Sequence, residues 1–226
     1  MLDILYRDEY LIAINKPHDL LVHRSSIAAE TNFFALQLLR DQIGQAVYPS
    51  HRLDRKTGGV LLFALQKALD APAQLLFREP STIKTYLAVV RGFTPESGTI
   101  DYPLRKENGN LQEAVTHYTT LAHAEIPYPS AKHPTSRYSL VEAKPETGRM
   151  HQIRKHFAHI FHPILADRPH GCNKQNKFRK DTFQLQTMLL HAQSLQFIHP
   201  ITKEVVQIDA PMQPEFRRAL DILKVY

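Results

Sequence analysis

The residue best suited to covalent chemistry is an aspartate set among cations, Asp54 in His51-Arg52-Leu53-Asp54-Arg55-Lys56-Thr57-Gly58-Gly59. Nearby positive charge keeps a carboxylate ionised where burial alone would protonate it, and an ionised acid is what a nucleophile needs. The same pattern also fits a structural ion pair, because ion-pair networks imitate perturbed catalytic groups, and charge pattern alone favours that reading. Metal chemistry is the other candidate, carried by His151, His156, His159, His162, His170 and Cys172. Their spacing argues against it: on a helix, residues three apart drift by about 60° at each step. No His-Glu-x-x-His run supplies a base between two ligands. A phosphate-binding loop is excluded as well, because Gly58-Gly59 is not followed by Lys-Ser/Thr.

Asp54 stands immediately before residues 59–65, a short apolar run without helical caps that reads as a strand buried on both faces. Upstream, residues 4–15 alternate in two runs split by Arg7-Asp8-Glu9, which suits a hairpin closed by Lys16-Pro17. Phe33, Leu36, Leu39 and Ile43 recur at helical spacing, predicting a helix from residue 31 to 43 with Thr31 or Asn32 as cap and Gly44 as stop. Residues 83–90 alternate as a strand closed by Gly92. Pro127, Pro129, His133 and Pro134 predict a surface loop from residue 123 to 137. Residues 139–143 read as a strand. After Thr147-Gly148 a helix follows whose apolar stripe is Met150, Ile153, Phe157 and Ile160, with Arg154 at its edge. Strands return at 189–198 and 205–208, and Phe216, Leu220 and Leu223 mark a closing helix. Strands spread along the chain, with helices in no regular alternation, favour an α+β fold with a large, mostly antiparallel sheet.

The chain has 226 residues, 43% of them hydrophobic and 22% charged, so it can bury a core and fold as one domain, 1–226, with no visible linker. The first nine residues mix acids into apolar positions, unlike a secretory signal. The longest apolar run is too short for a bilayer, and a single cysteine forms no internal disulfide. A reducing cytoplasm and no membrane partner are therefore expected. Net charge is +6, with Arg149, Arg154, Lys155, Arg168, Lys174, Lys177, Arg179 and Lys180 gathered between residues 149 and 180. That predicts one basic surface and a polyanionic partner.

Three ordered motifs sharpen this reading. They are the Asp54 run, Lys84-Thr85-Tyr86-Leu87-Ala88, and Thr147-Gly148-Arg149-Met150-His151-Gln152-Ile153-Arg154. In sequence and order they resemble the motifs of the RluA-type pseudouridine synthases. Further likeness lies in Ile14-Asn15-Lys16-Pro17, in His162-Pro163-Ile164-Leu165-Ala166-Asp167, and in Leu190-His191-Ala192 with His199-Pro200 after it. The resemblance implies a pseudouridine synthase fold of two fused lobes around a central RNA-binding cleft, without an S4 module. It also implies isomerisation of uridine in RNA by a monomer with no obligate protein partner.

Carried over residue by residue, the resemblance makes Asp54 the nucleophile, stacks Tyr86 on the target uracil, and pairs Arg154 with the aspartate. The target base is flipped out of its helix and Arg52 enters the vacated space. His51, Arg52, Arg55, Lys84, Arg149, His151 and Lys155 are the candidate RNA contacts. No cofactor or metal is needed, because uracil delocalises the charge it acquires on leaving the sugar; whether the carboxylate adds to the sugar or leaves a glycal stays open. Bland alternatives stand beside each role: a core tyrosine for Tyr86, a phosphate contact for Arg154, a charge balance for Arg52. The RNA implied is tRNA, at the stem uridine between acceptor and T arms (uridine 65). Large-subunit ribosomal RNA is the runner-up, and a non-catalytic RNA-binding module is the reading from another class. Two positions depart from the family pattern: Gly58 stands where serine is frequent, and Ala166 where glycine is usual. The extra glycine widens the backbone choices beside Asp54.

Overall fold

The computed structural model describes residues 1–23, 33–106, 108–129 and 133–225. Its elements are, in chain order, β1 (Asp3–Arg7), β2 (Leu11–Lys16), α1 (Ala35–Ile43), β3 (Tyr48–Pro49), β4 (Gly58–Ala64), α2 (Asp70–Leu76), β5 (Ile83–Arg91), β6 (Ser97–Asp101), β7 (Leu104–Arg105), β8 (Leu111–Gln112), β9 (Val115–Ile126), β10 (Ser136–Pro145), α3 (Gln152–His159), α4 (Asn173–Phe183), β11 (Leu190–Ile198), β12 (Val205–Asp209) and α5 (Pro214–Leu223). They gather into two compact units, Met1–Lys84 with Ala192–Gln213, and Thr85–His191 with Pro214–Tyr226. The chain passes from one to the other within β5, within β11 and after Gln213.

In the first unit β1 folds back on β2 from Asp3↔Asn15 to Arg7↔Ile12, with a bulge between Ile4 and Tyr6. Asp8 shapes the connection, its carboxylate accepting from the amides of Tyr10 and Leu11 at 2.7 and 2.6 Å. β2 and β4 pair antiparallel from Leu11↔Ala64 to Lys16↔Gly59, and every residue of both strands is buried. That is why residues 59–65 read as a continuous apolar run. One face of these strands packs Leu11, Val60 and Leu62 with Leu69, Ala73 and Leu76, and with Leu195, Phe197 and Ile208. Each large side chain so buried contributes about 1.5–3 kcal/mol. At Gly59 (φ +108°) a Cβ would stand 2.1 Å from the Ala192 carbonyl oxygen, so only glycine lets β4 pass β11 there. Helix α1 begins at Ala35 and ends at Gly44 in the left-handed conformation. It is shorter than its periodicity predicts, since Phe33 lies outside it and exposed; the expected caps Thr31 and Asn32 lie outside the described residues.

In the second unit β5, β10, β9 and β6 pair in that order, all antiparallel. Ala88, Val90, Val141, Ala143, Ile153, Phe157, Ile164 and Leu190 form the core, with Ile100 and Tyr118. Within α3, Ile153 and Phe157 supply the stripe, but Met150 precedes the helix and is exposed, a correction to the expected apolar face. The loop predicted over 123–137 is also narrower than expected. β9 runs on to Ile126 and β10 starts at Ser136, because the prolines fall only at 127, 129 and 134 and leave the flanking amides free to pair. Helix α4 is polar, with only Gln175 and Arg179 buried. Helix α5 buries Phe216, Ala219, Leu220 and Leu223 as its spacing predicts. Mixed strands and helices without regular alternation give the α+β class, and no helix of the described residues is long and apolar enough to cross a membrane.

Candidate active site

Asp54 sits at the first position of a turn closed by the Thr57 amide donating to the Asp54 carbonyl at 3.0 Å, immediately before β4. Its side chain is half-buried, whereas Arg52 and Arg55 are exposed. The turn is fastened through its main chain. Lys16, fully buried at the end of β2, donates from Nζ to the carbonyls of Pro17 (2.9 Å), Leu20 (2.8 Å) and Arg55 (3.1 Å). Burial pushes the Lys16 ammonium down to about 7, against the pull of the Asp54 and Asp19 carboxylates. Arg55 is tied back to the Asp19 carbonyl by Nε at 3.2 Å. Asp54 therefore lies on a short segment pinned at successive peptide groups, with one buried cation close enough to feel its charge.

His51, an expected RNA contact, is fastened through its ring. Its Nε2 accepts from the Leu62 amide at 3.1 Å, and its ring stacks on Phe77 with centroids 4.1 Å apart. Burial and the neighbouring Lys84 ammonium hold its pKa down to about 3, so the imidazole is neutral and fastens the approach to Asp54 onto β4. Lys84 is itself buried, which lowers its pKa as well. Neither offers an open surface charge.

The second unit carries the other two residues of the expected triad. Tyr86, half-buried on β5, stands opposite Ala143 of β10 and packs on the unit's core. Arg154 is buried on α3, and its Nε and Nη2 donate to the two carboxylate oxygens of Asp167, both at 2.8 Å. A bidentate pair of this geometry fixes the guanidinium plane. Sequence reasoning passed over Asp167, although the available signal was the same as for Asp54: one acid inside a basic stretch. Asp167 is itself held, accepting from the His170 amide at 3.3 Å, while its carbonyl receives Asn176 Nδ2 at 2.8 Å. His151 (φ 57°) bonds His170 ring to ring at 3.0 Å. Arg149 reaches the Glu113 carbonyl and, with Arg105, Lys106 and Met150, lines an open pocket of about 450 Å³. Lys155 is partly exposed on α3.

Two of the cations in the basic stretch from 149 to 180 are buried. Arg154 is buried with Asp167, and Arg179 lies buried over the Tyr138 ring, 5.0 Å from its centroid. Arg168, Lys174, Lys177 and Lys180 remain exposed, Lys177 beside Asp181. Among the described residues no three His, Cys, Asp or Glu side chains are grouped to hold a metal ion. At Ala166 the backbone takes a left-handed φ of 60°, which accounts for the usual glycine there. Gly58 needs no such freedom: it is an ordinary strand residue.

Comparison with known proteins identifies the family. A family model described as RNA pseudouridylate synthase matches residues 10–159. The chain is 45% identical to tRNA pseudouridine synthase C of Vibrio parahaemolyticus, over 96% of this chain and 93% of that protein. It is 46% identical to the protein of the same name from Pasteurella multocida, over 100% and 96%. Among solved structures, human RNA pseudouridylate synthase domain containing 1 superposes with a TM-score of 0.76 at 26% identity, covering 96% of this chain and 86% of that one. Human RNA pseudouridylate synthase domain containing 4 shares the fold with a TM-score of 0.75 over 99% and 94%. An aspartate turn, the motifs in family order and full-length relatives converge, and the chain belongs to the RNA pseudouridine synthases of the RluA type.

Proposed function

We propose that this enzyme isomerises one uridine of tRNA, uridine 65 in the stem between the acceptor and T arms, with Asp54 as nucleophile, Tyr86 stacked on the flipped uracil and Arg154 paired with the aspartate. The pinned Asp54 turn carries the chemical part of this reading: a carboxylate on a fixed main chain, among cations, reaches a sugar carbon without reorganising. The bond from ribose C1′ to N1 breaks, the base turns, and C5 bonds the same carbon. C5 loses a proton and N1 gains one, so no cofactor or metal is consumed. Tyr86 offers its ring to the base, a contact worth roughly 1–3 kcal/mol. The exposed Arg52 takes the space the base leaves, and Arg55, Arg149, His151 and Lys155 contact the surrounding RNA. This reading requires both units to act on one nucleotide as a single catalytic domain, active as a monomer.

The choice of tRNA is supported by relatives of that name matching nearly the whole chain. Mapping pseudouridine in tRNA and ribosomal RNA from cells lacking the gene tests it. Loss at the one tRNA stem position is the expected result; loss confined to ribosomal RNA overturns the substrate.

A further inference from the structure

Three successive carbonyls of the Asp54 turn are each held by a different donor. The Asp54 carbonyl takes the Thr57 amide, the Arg55 carbonyl takes Lys16 Nζ, and the Lys56 carbonyl takes the imidazole of His18, whose Nδ1 lies 2.7 Å away. A carbonyl only accepts, so Nδ1 carries the proton and donates. The same ring lies over Gly58. A Cβ built at that glycine would stand 3.0 Å from His18 Nε2 and 3.2 Å from its Cδ2, with Gln213 Cγ 3.1 Å away. Gln213 has little room to yield, because its amide donates to Asn15 Oδ1 at 2.7 Å. A side chain at position 58 must therefore displace the imidazole, by a few tenths of an ångström or more, and stretch its bond to Lys56.

We propose that His18 is a positioning residue for the nucleophile, and that position 58 is glycine in this chain so that the imidazole can sit against β4 and hold the Lys56 carbonyl. The proposal rests on Asp54 being the nucleophile. His18 acts through the main chain from which the Asp54 carboxylate projects, and misplacement of a reacting group by about 1 Å can cost on the order of a hundredfold in rate. A histidine after Lys16-Pro17 and a glycine before Gly59 are thus one feature, forty residues apart in sequence and in contact in the fold.

The test is steady-state release of tritium from C5 of uridine in a tRNA transcript, comparing the wild-type chain with His18→Ala, His18→Asn, Gly58→Ser and the double variant His18→Ala/Gly58→Ser. Thermal melts accompany each. His18→Ala should lower kcat about tenfold with KM held within about twofold. Asparagine, whose Nδ2 can donate from nearly the place of the histidine Nδ1, should restore kcat to within about threefold of wild type. Gly58→Ser should lose a similar factor, and the double variant should be no slower than the slower single one, since both act through one contact. The proposal is overturned if both single variants keep kcat within about twofold of wild type, if the loss falls on KM alone, or if the two losses multiply. Asp54→Asn run alongside separates the layers: full activity in that control removes the nucleophile reading itself, whatever His18 does.

Discussion

The Asp54 turn and the Arg154 helix reach order by opposite means. Asp54 is half-buried, and its segment is held by backbone carbonyls that receive donors from Lys16 and His18. Arg154 is buried, and its own charged group is held by two bonds to Asp167. In the first case the donors hold the main chain that carries the candidate carboxylate. In the second the functional group is itself a member of a buried pair. Activity and stability should therefore separate at Asp54 and stay linked at Arg154.

The largest effect expected from this contrast is on folding. Arg154→Ala or Asp167→Ala leaves one buried charge without its partner and should cost about 3–5 kcal/mol in denaturant unfolding, together with activity. Asp54→Ala should cost less than about 1 kcal/mol while activity disappears. Equal losses of stability at the two sites would break the comparison.

Acid should act next, and through the Asp54 side. With its pKa held near 3 in the fold against 6.5 in the open chain, His51 binds a proton more readily when unfolded. Its contribution is complete above about pH 6.5 and is lost as pH falls toward 3. His51→Gln, which keeps an acceptor for the Leu62 amide, should flatten the fall of unfolding free energy across that window. An unchanged pH slope in the variant would mean that the imidazole is not the neutral fastener described above.

The smallest effect concerns Ala166, next to Asp167 with φ 60°. Ala166→Gly should relieve the left-handed strain and stabilise the protein by roughly 0.5–1 kcal/mol, partly offset by the freer unfolded chain. A destabilised variant would argue that the strain is matched by packing.

Much of this was legible in the sequence where one physical signal dominated. β4 is apolar throughout because both its faces are covered; β5 is a strand as expected, but residues 87–90 are all buried, so its two faces do not differ as the alternation suggested. Helices α1 and α5 show their buried stripes. Signals that compete were misread. β9 alternates buried and exposed residues up to Ile126, but the cluster of prolines just beyond it outweighed that alternation. Helix α4 has almost no apolar stripe to find, since the residues it buries are Gln175 and Arg179. At the candidate site, Asp54 stood out through local charge. Its fasteners could not, because Lys16 and His18 act through backbone carbonyls nearly forty residues away, and a carbonyl carries no residue type. Asp167 was visible as a residue and silent as a partner, thirteen positions from Arg154 with a change of direction between them.

The measurement that bears most directly on the whole account is single-turnover pseudouridine formation by Asp54→Asn on tRNA, with binding followed in parallel. The variant keeps the shape and the pinned turn and loses only the carboxylate charge. The account predicts tRNA bound with near wild-type affinity and no product within the detection limit. Product formed at the wild-type rate would contradict it and return Asp54 to the role of a structural ion pair.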